Sequence, residues 1–432
     1  MITRMAKRTI FKAHTVVLLA ACLFAGVATT MVSDARADGA TALPQGPTPP
    51  VIEARADADL FDPVTAQGVS ARGMYFTGPF AHRQGAAGII RTLRNARLDA
   101  AVIDVKTDRG PVLFNTQVPA FRDTAVNVLG DAHALIQELK AAGIYTIARL
   151  VCFNDPVTPL RHPELAVLDG REHRRGQIWR SGGGGPWLDP SNPANHEAIR
   201  QLAVEVEALG FDEIQLDYVR FPVDRTTNWA IFPHSRPGVR RHEYLTNMLR
   251  MIDESIHIPL GVDIFGVAAL HEGDTNGLGQ LVENWVQYVE VFQPMLYANN
   301  FRSWHASPGQ DRGESFVRTA TAILRRRVGA RAVIRPYLQA FSIGAGRPFD
   351  EAMIAGYVRA ARDAHADGFL FWNPAANYGT VSRSMNGRAR DLSPFPVSAT
   401  ELPTRREPQP TTAETPVLAV PIAAASQRVS LR

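Results

Sequence analysis

Cysteine is nearly absent: the chain has two among 432 residues. They are Cys22 and Cys152, and Cys22 falls inside an N-terminal leader-like stretch. Once that stretch is removed, Cys152 stands alone, so no intramolecular disulfide is expected, and a lone cysteine within residues 147–153 reads as a small core residue. An excess of one charge sign is also missing. Residues 1–37 hold five basic side chains and one acid, and the remaining 41 basic and 41 acidic residues balance. That balance removes the electrostatic reason to expect a nucleic-acid partner. No apolar run is long enough for a confident membrane span of about 20 residues. The twelve histidines show no H-x-H or H-E-x-x-H spacing, so no metal or cofactor is expected. Neither residues 77–81 nor the glycine run 182–185 has the form of a phosphate loop. A G-x-S-x-G nucleophile elbow is lacking too.

What is present begins with a leader. Basic residues from Arg4 to Lys12 precede an apolar run at 16–28, and Ala35-Arg36-Ala37 supplies a small-x-small cleavage site. Residues 1–37 therefore read as a signal peptide, and a periplasmic or secreted protein is expected. Contact with a membrane follows only if Cys22 is lipidated or the signal stays uncleaved. Residues 38–70, rich in Ala, Pro and Asp, read as a linker. Residues 381–432 read as a Pro-rich low-complexity tail, and both flanks are expected to be disordered.

Between the flanks, strand and helix patterns alternate. Strands are predicted at 73–77, 100–106, 144–153, 214–219, 260–265, 289–297, 332–339 and 369–373. Helices are predicted at 85–96, 125–142, 193–209, 239–256, 279–286, 313–328 and 350–366. Eight strands alternating with seven helices predict an α/β fold, a (β/α)8 TIM barrel over residues 71–380.

In such a barrel the chemistry sits at the C-terminal strand ends, and here those ends are polar. The fourth carries Phe211-Asp-Glu-Ile-Gln-Leu-Asp-Tyr-Val-Arg-Phe-Pro222. Its period of two sends Gln215 and Asp217 to one face and Ile214 and Leu216 to the other. A purely structural Asp217–Arg220 ion pair is the plainer reading of that strand alone. The other ends add Asp104, Lys106, Arg149, Asp263, Gln293, Tyr297, Arg335, Gln339, Trp372 and Asn373. Asp104–Lys106 could be an internal ion pair and Trp372 core filling. Burying so many charges without use is costly, so their convergence points to a functional cleft. Two carboxylates on adjacent strands, Asp217 and Asp263, suit glycoside hydrolysis, one as nucleophile or base and the other as acid. Trp179, Trp187, Tyr218, Tyr297 and Trp372 are candidate sugar-stacking aromatics near the rim. Arg149, Arg335, Gln215 and Asn373 are candidate hydroxyl ligands; Asp104, Lys106 and Arg220 complete the expected binding set. The loop at 154–192 is long for a compact domain and is expected to shape the cleft.

These pieces resemble a bacterial domain family labelled "putative glycoside hydrolase", a barrel group otherwise of unknown function. The matching segments are Ala101-Val-Ile-Asp-Val-Lys106, Ile147-Ala-Arg-Leu-Val-Cys-Phe-Asn-Asp-Pro156, Phe211–Pro222, Val262-Asp-Ile-Phe-Gly266, Gly277-Leu-Gly-Gln280, Gln293-Pro-Met-Leu-Tyr297, Ile334-Arg-Pro-Tyr-Leu-Gln339 and Phe371-Trp-Asn-Pro374. The resemblance implies the barrel fold and a carbohydrate substrate. By likeness to related barrel glycosidases it places the nucleophile on Asp217 and the acid on Asp263. The fifth-strand acid in such enzymes is often Glu, which makes Glu272 and Asp274 on the following loop stand-ins for that role. A non-catalytic carbohydrate-binding barrel of the cell envelope is the alternative, and a structural envelope protein acting through its tails is a third reading.

Overall fold

The computed structural model describes residues 64–301, 304–342 and 349–392. The expected signal peptide, most of the linker and the tail beyond residue 392 lie outside the described residues.

Eight strands form the frame. They are β1 (Arg72–Phe76), β2 (Ala100–Lys106), β3 (Tyr145–Val151), β4 (Glu213–Asp217), β5 (Leu260–Phe265), β6 (Val291–Leu296), β7 (Val333–Ile334 and Tyr337–Gln339) and β8 (Phe369–Trp372). Every neighbouring pair is parallel. Pairing of β8 with β1 joins Arg72 to Phe369 and closes the sheet into a barrel. The fold is thus the eight-stranded parallel barrel that the alternating patterns predict. β7 is interrupted at Arg335-Pro336, where proline has no N–H to give the ladder.

The helices α1 (Gly78–Asn95), α2 (Ala132–Ala141), α3 (Pro193–Ala208), α4 (Arg241–Asp253), α5 (Val282–Trp285), α6 (Arg312–Val328), α7 (Glu351–Asp363) and α8 (Gly379–Asn386) follow the strands in turn. Side-chain caps fix several of their starts. Thr77, Asp131, Asn192, Asp311 and Asp350 each accept a backbone N–H from the first turn of the helix they precede. Gly210, at φ 89°, supplies the left-handed residue that turns the chain from α3 toward β4. Ile199, Leu202, Ala203 and Val206 of α3 join the shell between barrel and helices that also buries Ile214 and Leu216.

Several boundaries differ from the sequence reading: α1, expected from residue 85, starts at Gly78, and β4, expected to residue 219, ends at Asp217. An eighth helix, α8, runs to Asn386 and crosses the expected barrel limit at residue 380; its buried Val381, Ser384 and Met385 belong to the fold. The second helix starts at Ala132, after a separate short helix at Pro119–Arg122. The end of the expected linker is ordered: a short helix, Ala66–Val69, lies under the barrel, where Val64 and Val69 cluster with Val291 and Val333. Gln67 there donates to Gly143 O at 2.8 Å.

The barrel interior is filled in levels. At the N-terminal end, Glu213 takes Arg335 Nη1 at 3.1 Å and Nη2 at 2.7 Å, Gln293 Nε2 at 2.9 Å and Tyr145 OH at 3.1 Å. Gly261 makes room for this level, since a Cβ there would lie 2.7 Å from Gln293 Nε2. Above it, Tyr337 OH donates to Gln215 Oε1 at 2.8 Å. The C-terminal end holds the candidate site.

Candidate active site

β4 carries the central residue. Glu213, Gln215 and Asp217 recur at every second position and point into the barrel, as strand alternation requires. The strand stops at Asp217 because Tyr218 is left-handed, at φ 55°. That is an uncommon conformation for an aromatic residue and the kind of local strain that collects at functional sites. It brings Tyr218 N to Asp217 Oδ1 at 2.6 Å.

β3 supplies the counter-charge. Arg149 Nε and Nη2 donate to Asp217 Oδ2 at 3.0 and 2.6 Å, and Nη1 donates to Asp104 Oδ1 at 2.6 Å. One guanidinium therefore bridges two carboxylates on strands either side of it. Tyr75 of β1 donates its hydroxyl to Asp104 Oδ2 at 2.6 Å. The Tyr75 and Trp372 rings stack at 3.9 Å, and Arg149 lies 5.4 Å from the first centroid and 4.8 Å from the second. Burial opposes the charge on Arg149, but Asp217 and then Asp104 more than offset it, so its pKa rises. Asp104 is pushed up to about 6: burial raises it further than Arg149 and the Tyr75 hydroxyl bring it down.

Asp263 completes the site from β5. The β4–β5 register pairs Gln215 with Gly261 and Leu216 with Val262, and one further step brings Asp217 level with Asp263. Asp263 is 1% exposed, and its Oδ1 has no hydrogen-bond partner among the described residues. Burial first, and the neighbouring Asp217 second, hold its pKa well above the usual carboxylate range. Close by, burial and then the charges of Asp263 and Asp217 raise the Tyr297 hydroxyl. Gln280, on the loop after β5, ties the two strand ends together. Its Nε2 donates to Val219 O and Asp263 O, and its Oε1 accepts Phe265 N.

Not every expected residue reaches this level. The ion pair of Asp217 is made by Arg149. Arg220 lies among Trp187, Tyr218 and Phe265, 4.8, 4.9 and 4.6 Å from their centroids, and donates to Phe221 O. Lys106 does not pair with Asp104. A register shift between the two residues turns it to Asp155 on the loop after β3, at 2.8 Å with both side chains fully buried. Arg335 and Gln215 are held at deeper levels by Glu213 and Tyr337. The Asn373 amide is bonded to Ala340 O and Asn377 O, so it shapes the loop after β8. Trp179 is fully buried, with its indole N–H on Thr226 O, and is no rim residue. Trp187 is buried too, edge-on to Tyr218. The stand-in acids Glu272 and Asp274 are exposed, and Asp274 Oδ1 accepts Gly279 N.

The long loop after β3 is packed throughout much of its length. Its Leu168–Asp169 segment pairs with Ala230–Ile231 from the loop after β4. Asp189 fastens it by accepting from Ser191 and His234. The glycine run is tied down by Gly182 N to Asp224 Oδ2 at 2.9 Å. Tyr75, Glu213, Tyr337 and Gln280 are the interior residues that strand-end reasoning leaves out. Glu213 was within its reach, since the alternation through Gln215 and Asp217 extends back to it.

A parallel βα barrel of this kind has the fold of the barrel glycosidases, and here three acids and Arg149 meet at its mouth. The chain belongs to the family described as "Putative glycosyl hydrolase domain", whose match spans residues 73–378. Among solved structures, it is similar to the PgaB (BpsB) glycoside hydrolase domain from Bordetella bronchiseptica. Identity there is 14%, coverage is 78% of this chain and 100% of that one, and the TM-score is 0.53. It is also similar to alpha-L-fucosidase isoenzyme 2 from Paenibacillus thiaminolyticus, at 11% identity, 74% and 49% coverage and TM-score 0.50. A hypothetical protein from Ruminiclostridium thermocellum is 29% identical over 44% of this chain and 96% of that one, with TM-score 0.39. The two glycosidase likenesses establish the fold alone. No curated protein matches the chain.

Proposed function

We propose that this protein hydrolyses glycosidic bonds in a bacterial polysaccharide or oligosaccharide, with Asp217 as nucleophile or base and Asp263 as general acid. The observation that carries the reading is the asymmetry of two level, inward-facing carboxyls. Asp217 faces a guanidinium, whereas Asp263 is buried with an unpartnered oxygen and a raised pKa. A buried carboxyl with a raised pKa beside one that faces a guanidinium can supply the acid of such a pair. Membership of the glycosyl hydrolase family supports a carbohydrate substrate. Trp372, half-buried and stacked on Tyr75 at the end of β8, is the aromatic at this level that would meet a sugar ring. The leader motif supports export to the periplasm or medium, which intact-mass analysis of the mature protein would check.

One observation favours a binding barrel without turnover: both oxygens of Asp217 already accept hydrogen bonds. The deciding experiment incubates the protein with a panel of bacterial exopolysaccharides and cell-wall glycans and follows release of reducing ends. Cleavage is expected, and Asp217→Asn should lower the rate about a thousand-fold while leaving the fold intact. Tight binding without release of reducing ends would select the binding barrel. Full activity in Asp217→Asn would overturn the site assignment.

A further inference from the structure

Asp104 sits where a substrate ligand would be expected, at a barrel strand end beside the candidate carboxylates, yet its geometry points elsewhere. Both of its oxygens are occupied by protein, Oδ1 by Arg149 Nη1 and Oδ2 by the Tyr75 hydroxyl, each at 2.6 Å. The side chain is 4% exposed. Burial and these two bonds together turn it toward the protein and away from a sugar hydroxyl. What it does hold is the one guanidinium that also holds Asp217. A guanidinium is planar, so fixing Nη1 while Nε and Nη2 grip Asp217 Oδ2 sets the direction from which the charge reaches Asp217. The stacked Tyr75 and Trp372 rings lie against it, and Tyr75 is at once the ring beside Arg149 and the donor to Asp104.

We propose that Asp104 is a positioning residue: with Tyr75 it forms a bracket that holds Arg149 against Asp217 and so fixes the orientation and electrostatic environment of the catalytic carboxylate. This rests on the reading of Asp217 as catalytic. The groups facing Asp104 are Tyr75 from β1, Arg149 from β3 and, at longer range, Asp108 from the loop after β2. The Asp104 charge is kept in the fold at a net cost, because burial outweighs its partners and lifts its pKa to about 6. A carboxylate needed only for folding gains nothing from such a place. Removing its charge should therefore leave the protein folded, which makes the proposal testable by substitution.

The sign follows directly. As pH falls through about 6, Asp104 takes up a proton and its hold on Arg149 weakens. The first arm needs no sugar: the Arg149 Nε–H resonance of the unliganded full chain, assigned with Arg149→Lys, is followed against pH. A transition near pH 6 is expected in the unmodified protein and none there in Asp104→Asn. Tyr75→Phe removes a hydrogen bond that lowers the Asp104 pKa, so its transition should move to higher pH. The second arm is kinetic. Asp104→Asn should lower kcat about ten- to a hundred-fold, on the scale known for groups that orient the ligands of a metal, with KM changed less than about three-fold. The acid limb of the rate profile should follow the resonance, lost in Asp104→Asn and moved upward in Tyr75→Phe. A transition that persists near pH 6 in Asp104→Asn overturns the bracket. So does a raised KM with intact kcat, which would place Asp104 on the substrate. If the protein cleaves no glycan, the hydrolase reading fails, and the resonance arm still decides whether the bracket exists.

Discussion

The two ends of the barrel interior use the same residue types to opposite effect. At the N-terminal end one acid, Glu213, meets one arginine, Arg335, and both are fully buried. Tyr145 and Gln293 fill the remaining bonds of Glu213, and the Val64–Val69 cap lies beneath. At the C-terminal end three acids, Asp104, Asp217 and Asp263, share one arginine, Arg149, and Asp263 Oδ1 is left unpartnered. The lower cluster also leaves Arg335 Nε and Gln293 Oε1 without partners among the described residues, so what distinguishes it is its charge balance, the form of buried charge that a fold tolerates best. An acid-rich cluster with an unpaired carboxyl is a standing cost that folding alone does not explain, and that difference separates the structural end from the candidate active end.

The largest expected effect breaks the comparison from below. Arg335→Met leaves Glu213 buried without its ion-pair partner, and chemical denaturation should show a loss of about 3–5 kcal/mol. A loss under about 1 kcal/mol would mean that the lower cluster is no more structural than the upper one. Next comes pH. Asp104 has a folded pKa of about 6 against 3.8 for the ordinary group, so the folded state binds the extra proton between those values. Its contribution to stability is therefore greatest in acid and falls as pH rises through that window. Relative to Asp104→Asn, the unmodified protein should lose on the order of 3 kcal/mol between about pH 4 and pH 7. Parallel stability curves for the two proteins would contradict this. The smallest effect concerns the cap. Val69→Ala should cost about 1–2 kcal/mol by removing buried methyl groups. An unchanged melting temperature would show that the residues before β1 do not contribute to closing the lower end.

Much of this contrast was legible in the sequence. Alternation through Gln215 and Asp217 fixes which side of β4 faces inward, and the alternating strand and helix patterns place Asp217 and Asp263 on neighbouring strands. What pairs with what was not legible. Arg149 reaches Asp217 across 68 positions of chain, while Arg220, three residues away, turns into an aromatic enclosure instead. That choice follows from the left-handed turn at Tyr218, which nothing in the local composition signals. Trp179 reads as a rim aromatic because its loop is glycine-rich, but its indole N–H finds Thr226 O on a different loop, and the ring is buried. The bulge that sends Lys106 to Asp155 breaks the two-residue period on which its expected place beside Asp104 depended. α8 escaped because it is short and borders the Pro-rich tail.

The most direct measurement pairs folding with function in one variant, Asp263→Asn. It keeps the shape of the side chain and removes the buried, titratable carboxyl. Denaturant unfolding at pH 7 and turnover of a cleaved glycan would be measured on the same preparation. The account predicts unchanged or increased stability together with at least about a thousand-fold loss of turnover. A protein that loses several kcal/mol of stability yet retains turnover would place Asp263 with Glu213, among the groups that hold the barrel together.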